Sequence, residues 1–172
     1  MAEGDESMPK LKTLYDEDFV RWTEQQAAAL RRAGSLLPAE ARSSNVLLDW
    51  ENLAEEIESL GKSDRRELRS QITRILRHLL KLETSPATEP RAGWRATIRE
   101  ARAEIGAVLD DSPSLQREAE AWITKQIRVA AELAADDLGN HGEPTDAVWR
   151  RLETRHYTTE QVLGDWFPDD PG

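Results

Sequence analysis

Apolar residues recur at helical spacing along most of the chain, and no segment shows the strict alternation that is typical of a strand. The clearest periodicity lies in the second half of the stretch Leu48–Leu82. There, intervals of four and three residues alternate between Leu68, Ile72, Ile75, Leu79 and Leu82. This spacing places the five side chains on one face of a helix, so it predicts a helix with one side in the core.

The first half of the same stretch carries a shorter apolar stripe that stops at Gly61. Glycine is common just past the end of a helix, and Ser63 is a favourable cap for the start of another. We therefore predict two antiparallel helices joined at Gly61, which form a helical hairpin at the centre of the fold.

Similar patterns predict further helices on both sides of this hairpin. The positions that mark their ends are Asp16 and Gly34 for the helix before it, and Asp110-Asp111, Ser112, Thr145 and Thr158 for those after it. The chain is thus predicted to be all-α, a single compact helical bundle of five or six main helices around the central antiparallel helical hairpin.

The ends of the chain lack this periodicity. Residues 1–13 mix glycine, serine, proline and charges and are predicted to be a disordered tail, and residues 169–172 a frayed C-terminus. Residues 35–47, which include Pro38, are predicted to form a loop. Residues 14–168 are then predicted to form one helical domain. A single domain is usual for a chain of 172 residues.

Composition narrows the possible functions. The net charge of −10 repels nucleic acids and anionic lipids on average. The chain has no cysteine, so disulfides, thiolate metal sites and cysteine nucleophiles are excluded. No apolar run approaches the ~20 residues that cross a bilayer, and no signal segment is visible. We expect a cytoplasmic protein without nucleic-acid or membrane partners, with the six tryptophans as core anchors.

Charge divides the predicted hairpin into an acidic and a basic helix. The first helix carries five acids and no base: Asp49, Glu51, Glu55, Glu56 and Glu58. Clustered carboxylates on a helix can hold Mg²⁺. The facing helix, however, carries seven bases against two acids between residues 62 and 82. This pattern favours charge pairing across the hairpin over a metal site, and no metal or other cofactor is predicted.

The register of such a hairpin predicts which side chains meet. With the turn at residues 61–63, Glu55 and Glu56 would lie beside Arg69. His78 would lie about 15 Å along the axis from Glu56 and opposite residues 46–49. A contact between Asp49 and His78 would then be possible, either as an acid–base dyad or, as is more common, as a structural cap interaction.

No motif assigns a reaction, because the chain has no G-x-S-x-G, no phosphate-binding glycine-rich loop and no dinucleotide-binding fingerprint. The catalytic residues stay unassigned, with the polar side chains of the hairpin as candidates: Asp49, Asn52, Glu55, Glu56 and His78. The arginines of the basic helix could contact phosphates, but they lack interleaved aromatic residues and the acidic helix would compete for them. Binding of nucleic acid is therefore not predicted.

Short motifs follow one another in a fixed order along the chain. They are Tyr15-Asp16-x-Asp18, Leu48-Asp49, Asn52-Leu53-x-Glu55-Glu56-Ile57-Glu58, Gly61-Lys62-x-x-Arg65, Leu79-Leu80-Lys81, Gly93-Trp94, Ser112-Pro113-Ser114-Leu115, Gln161-Val162-Leu163 and Trp166-Phe167-Pro168. In this order they resemble the bacterial family known as domain of unknown function twenty-nine, over about residues 14 to 168. The resemblance implies an all-helical fold and supplies no function. The chain departs from the family at Arg155-His156-Tyr157, where a cysteine or another small residue often precedes the turn.

Two hypotheses about function follow. The first is a non-enzymatic protein–protein interaction module that binds a protein partner or a second copy as a homodimer. The alternative is a small metal-dependent hydrolase that uses Glu55 and Glu56. The hydrolase is favoured if these carboxylates point into a cleft away from any arginine, and the module is favoured if they pair with Arg65 or Arg69.

Overall fold

One long helix, Trp50–Thr84, dominates the computed structural model, which describes residues 13–37 and 48–169. Its 35 residues span about 52 Å at the usual helical rise. The described ranges contain no strand, so the predicted all-α fold is confirmed. Their helices are α1 (Leu14–Glu17), α2 (Phe19–Leu36), α3 (Trp50–Thr84), α4 (Arg91–Asp111), α5 (Gln116–Asn140), α6 (Asp146–Thr154) and α7 (Thr159–Leu163), with a 3-10 turn at Pro113–Leu115.

Gly61 lies inside α3 and does not end a helix, so the predicted division of this stretch into a hairpin is wrong. The glycine is buried, and a methyl group on it would lie 2.5 Å from Oγ1 of Thr23 in α2. Its role is to let two helices approach closely. A glycine inside a helix costs only about 1 kcal/mol, which packing against α2 can offset.

The molecule has two parts along α3. Helix α2 runs antiparallel beside the first half of α3, because Thr23 lies near Gly61 while Gly34 lies against Trp50. We call α2 together with residues 50–64 of α3 the arm. The second half of α3 packs against α4 and α5, and the short helices α6 and α7 also contact it. We call this second part the bundle.

Leucine, isoleucine and alanine fill the core of the bundle. The apolar stripe predicted from Leu68 to Leu82 is fully buried, and five buried alanines let α5 approach it closely. The tryptophans are not the core anchors that the sequence suggested. Three of them pack partly buried at the edge of the core, namely Trp94, Trp122 and Trp166, while Trp149 is 38% exposed.

Several other helix ends fit their predicted signals, but those of the helix before the long one do not. Asp16 lies inside α1, Asp18 caps α2, and Gly34 lies inside α2, which ends at Leu36 and so includes the first residues of the predicted loop. Helix α4 ends at Asp111, and α7 starts with a capping box between Thr158 and Gln161. After Ser112 the chain first makes a 3-10 turn and only then enters α5. Three predictions lie largely or wholly outside the described residues, namely the disordered tail before residue 13, the loop after residue 37 and the frayed terminus after residue 169.

Candidate functional site: a cationic groove

The candidates from the acidic segment are all exposed to solvent. Asp49 caps α3 and accepts the backbone N–H of Asn52 at 3.1 Å and its side-chain amide at 2.5 Å. Glu55 and Glu56 are exposed, and neither has an ion-pair partner in the described part of the chain. Within the described residues, neither carboxylate belongs to a group that could hold a metal ion.

The arginines expected beside these glutamates have other partners. Arg65 bridges two helices by ion pairs of 2.7 Å to Glu24 and 2.9 Å to Glu118. The Arg69 guanidinium lies 5.4 Å from the centre of the Trp122 ring. The register prediction is therefore wrong, because it assumed a turn at residues 61–63 where α3 continues.

The proposed contact between Asp49 and His78 is wrong for the same reason. Both residues belong to one continuous helical segment, in which Asp49 is the cap and His78 lies in the last third. At 1.5 Å per residue they are about 43 Å apart, and Glu56 is about 33 Å from His78. The five candidates thus divide into Asp49 at the cap of α3, three residues on the arm, and His78 alone in the bundle.

His78 lies in a groove of about 720 Å³ that runs along the second half of α3. Thr97 of α4 and Leu133 of α5 contribute to its walls. Its charged side chains come mostly from successive turns of α3. We call this feature the cationic groove, after Arg66, Arg69, Arg74, Arg77 and Lys81.

The groove is a positive region on an acidic protein. Its five cations face one carboxylate, Asp137 of α5, which leaves a charge of +4 with histidines neutral. Because the whole chain carries −10, the remainder of the chain carries −14. From Arg66 to Lys81 the positive stripe is about 22 Å long.

Asp137 neutralises one end of the groove. Its carboxylate accepts hydrogen bonds from Nε of Arg77 at 2.8 Å, from Nη2 of the same side chain, and from Nζ of Lys81 at 2.9 Å. Lys81 is only 7% exposed, and its ammonium lies 4.7 Å from the centre of the Trp94 ring. Burial opposes ionisation of Asp137, but the hydrogen bonds from Arg77 and Lys81 hold its pKa below the ordinary value.

The cations at the other end of the groove remain available to a ligand. Arg66, Arg69 and Arg74 are exposed and have no carboxylate partner within residues 13–37 and 48–169. Arg74 donates to Oε1 of Gln71 at 3.4 Å, which is a weak contact. These three guanidinium groups can therefore each take up an anionic oxygen from outside the chain.

His78 adds no charge to the groove near neutral pH. Burial, followed by the positive charges of Lys81 and Arg77, lowers its pKa to about 4. Its Nδ1 atom is buried and has no hydrogen-bond partner in the described ranges. A neutral imidazole without a carboxylate bonded to it lacks the partner that orients and strengthens a histidine general base.

The groove thus has the chemistry of an anion-binding surface. Within the described residues, no group of three or more histidine, aspartate or glutamate side chains is placed to hold a metal ion. None of the helices in those ranges is long and apolar enough to cross a membrane.

The sequence model of the family described as "Domain of unknown function DUF29" matches residues 14–167. The chain belongs to this family. The match confirms the resemblance seen in the motifs, and the description of the family gives no function. No curated protein matches the chain.

A solved structure shares the fold of this DUF29 chain. It is described as an alpha-helical protein of unknown function from Rhodospirillum rubrum, with 24% sequence identity and a TM-score of 0.57. The match covers 92% of this chain and 94% of that chain. At this identity the likeness supports the all-helical fold alone.

Two of the DUF29 motifs meet between α2 and the 3-10 turn. Asp18 caps α2 by accepting the N–H of Arg21 at 3.0 Å, and it also accepts the N–H and hydroxyl of Ser114 at 2.9 and 3.0 Å. In return, Oγ of Ser112 accepts the N–H of Val20 at 3.2 Å. These motif residues therefore join the arm to the bundle.

The closing motif Trp166-Phe167-Pro168 is held by α4. Arg102 donates to the backbone oxygens of Val162, Gln161 and Trp166 at 3.0, 2.9 and 2.7 Å. Its guanidinium also lies 4.8 Å from the centre of the Phe167 ring. This motif is accounted for by its packing, so it gives no separate indication of a binding site.

Sequence reasoning missed Asp137 and the walls of the groove. Two signals were present. Lys81 interrupts the buried run from Leu79 to Leu82, and Asp137 follows Ala130 and Ala134 on the inner face of α5. A charge inside an apolar stripe usually has a charged partner across the interface, and here the two charges are each other's partners.

Proposed function

We propose that this protein is a non-enzymatic interaction module that holds an acidic segment of a partner protein in the cationic groove. The observation that carries the proposal is the charge of Arg66, Arg69 and Arg74, which no carboxylate of the described residues compensates, on a chain that is acidic elsewhere. Arginine binds carboxylates through charge-assisted hydrogen bonds, and a positive patch in acidic surroundings selects the orientation of an acidic ligand.

Protein is favoured over nucleic acid by the size of the groove and by its surroundings. A positive stripe of about 22 Å covers only a few phosphates, and a longer strand would extend over the acidic remainder of the chain. The two tryptophans beside the stripe, Trp94 and Trp122, already have Lys81 and Arg69 over their rings. Each ring thus already has a cation of the chain over it, whereas single-stranded nucleic acid is usually held by open aromatic faces.

The hydrolase alternative has no supporting observation. Glu55 and Glu56 are exposed, line none of the described pockets, and do not pair with Arg65 or Arg69. Their contacts therefore favour neither of the two hypotheses. The choice therefore rests on the groove. A chain without cysteine is suited to the reducing cytoplasm, where we expect this binding to take place.

The test is a binding measurement with a fluorescein-labelled, glutamate-rich helical peptide. We expect its anisotropy to rise on titration with the protein, and the affinity to fall steeply as salt increases. The double variant Arg66→Glu/Arg74→Glu should lose binding. The matched control Arg117→Glu/Arg128→Glu makes the same change in net charge at exposed positions outside the groove and should keep it.

Two results would overturn the proposal. One is equal loss of affinity in the groove variant and in the control, which would mean that only the overall charge matters. The other is tighter binding of an oligonucleotide with the same number of charges, which would make nucleic acid the ligand. Circular dichroism of both variants checks that they keep the helical content of the wild type.

A further inference from the structure

The two halves of α3 carry opposite charges on the same open side of the helix. Glu56 and Arg74 are 18 residues apart, which is five helical turns, and Glu55 and Arg66 are 11 residues apart, which is about three turns. Since the helix is continuous, Glu55 lies about 16 Å from Arg66 along the axis, and Glu56 lies about 27 Å from Arg74. These acids and bases have no ion-pair partner among the described residues, and they cannot reach each other within one chain.

We propose that two copies of the chain pair through α3 in antiparallel orientation, so that the acidic half of each copy lies over the cationic groove of the other. This proposal rests on the proposed function, because it uses the same groove and names a second copy as the partner. The charge pattern seen along one helix is then satisfied between two molecules.

An antiparallel pair is self-complementary, whereas a parallel pair is not. Glu56 and Arg74 are about 27 Å apart along the helix in each copy, and in the antiparallel arrangement the two helices run in opposite directions. Glu56 of each copy can then lie opposite Arg74 of the other. Both acid–base contacts therefore form at once around a two-fold axis, and the interface closes at a dimer. A parallel arrangement would place acid against acid and base against base, which is repulsive.

Exposed apolar side chains lie close to both charged regions. Leu53 and Leu60 flank the acids of the arm and are 37% and 48% exposed. On the other side of the contact, Leu133 contributes to the groove and is 37% exposed. Covering these side chains would add a hydrophobic contribution to the electrostatic one, and would explain why leucines lie on the open side of the arm.

The experiment measures self-association by sedimentation equilibrium and by light scattering after gel filtration. At low salt the wild type is expected at twice the chain mass, with dissociation as salt increases. Two charge-reversed variants should each be monomers: Glu55→Lys/Glu56→Lys, in which both contacts become base against base, and Arg66→Glu/Arg74→Glu, in which both become acid against acid. We expect self-association weaker by roughly tenfold or more in each.

Mixing the two variants is the decisive experiment. In the mixture, the arm of the first variant, which is now positive, lies over the groove of the second variant, which is now negative. The other contact joins the unchanged groove of the first variant to the unchanged arm of the second. Both contacts are then complementary, so the mixture should form a heterodimer although neither variant dimerises alone. The control Arg117→Glu/Arg128→Glu should dimerise like the wild type.

A wild-type monomer at every concentration in low salt, or a mixture that stays monomeric, would overturn the dimer. If the wild type is a monomer but binds the glutamate-rich peptide through Arg66 and Arg74, the proposed function stands and only the identity of the partner is wrong. If it neither dimerises nor binds the peptide, both proposals fail.

Discussion

Oγ1 of Thr23 lies 2.5 Å from the position that a methyl group on Gly61 would occupy. Thr23 is fully buried, and its hydroxyl donates to the backbone oxygen of Val20 at 2.8 Å. Turning the side chain away would break that hydrogen bond inside the core, which costs about 1–3 kcal/mol. The crossing of α2 over α3 therefore depends on the absence of a side chain at residue 61.

Replacing Gly61 by alanine should destabilise the protein although alanine is the better helix former. The steric cost of about 1–3 kcal/mol exceeds the gain of about 1 kcal/mol in helix propensity. Gly106 in α4 is the control, because a methyl group there meets nothing within 4 Å. Urea denaturation should show a lower free energy of unfolding for Gly61→Ala and a higher one for Gly106→Ala.

A double-mutant cycle with Thr23→Ala tests the cause. Cβ of Thr23 lies 3.7 Å from the added methyl group, which is an ordinary contact, so only the hydroxyl is in the way. Gly61→Ala should therefore cost less in the Thr23→Ala background than in the wild type. Equal costs in the two backgrounds would show that the clash with Thr23 is not the reason.

The same crossing shows why the helices could be predicted but their arrangement could not. A glycine followed by a serine is a common signal for a helix boundary, and only packing decides whether the glycine ends a helix or lets another approach. On the arm, Ala54 and Gly61 are buried while Leu53 and Leu60 are exposed. Small residues thus mark the inner face, the reverse of what hydrophobicity alone predicts.

The candidate site, the cationic groove, could likewise be predicted only in part. The excess of bases between residues 62 and 82 is visible in the sequence, and five of those seven bases line the groove. Which acids neutralise them depends on tertiary contacts that are distant in the chain. Lys81 and Asp137 are 56 residues apart, and no local pattern links them.

Asp18 should contribute more to stability than Asp49, although both cap a helix. Asp18 is 6% exposed and serves Arg21 and Ser114 together, whereas Asp49 is exposed. Asp18→Ala is expected to lower the free energy of unfolding by about 2–3 kcal/mol, from a lost cap and an unsatisfied N–H. Asp49→Ala should cost about 0.5–1 kcal/mol. Comparable losses in thermal or urea denaturation would contradict this difference.

His78 should make the protein less stable as the pH falls from about 6.5 to about 4. In that window the unfolded chain binds a proton at His78 and the folded chain does not, so protonation favours unfolding. Because the side chain is partly open to solvent, we expect an effect of about 1–2 kcal/mol. His78→Gln should flatten this part of the stability profile measured by urea denaturation at a series of pH values.

An NMR titration supplies the independent check on His78. Its imidazole resonance should shift with a midpoint near pH 4, because burial and the cations Lys81 and Arg77 oppose protonation. Asp137 acts in the same direction at lower pH, because its depressed pKa means that stability is lost as its carboxylate is protonated. A midpoint of His78 close to 6.5 would remove the reason for the predicted slope.

Arg102 should control the stability of the C-terminal segment locally. Its guanidinium donates to three backbone oxygens between residues 161 and 166, and a lysine has no planar fork to replace it. Arg102→Lys should raise hydrogen exchange at the amides of residues 159–167 by an amount that corresponds to about 2–3 kcal/mol. Arg99→Lys is the control, because Arg99 is exposed and lies 5.2 Å from the Phe167 ring. Its effect should stay below about 1 kcal/mol. Equal exchange in the two variants would mean that the cations above Phe167, and not the hydrogen bonds of Arg102, hold the segment.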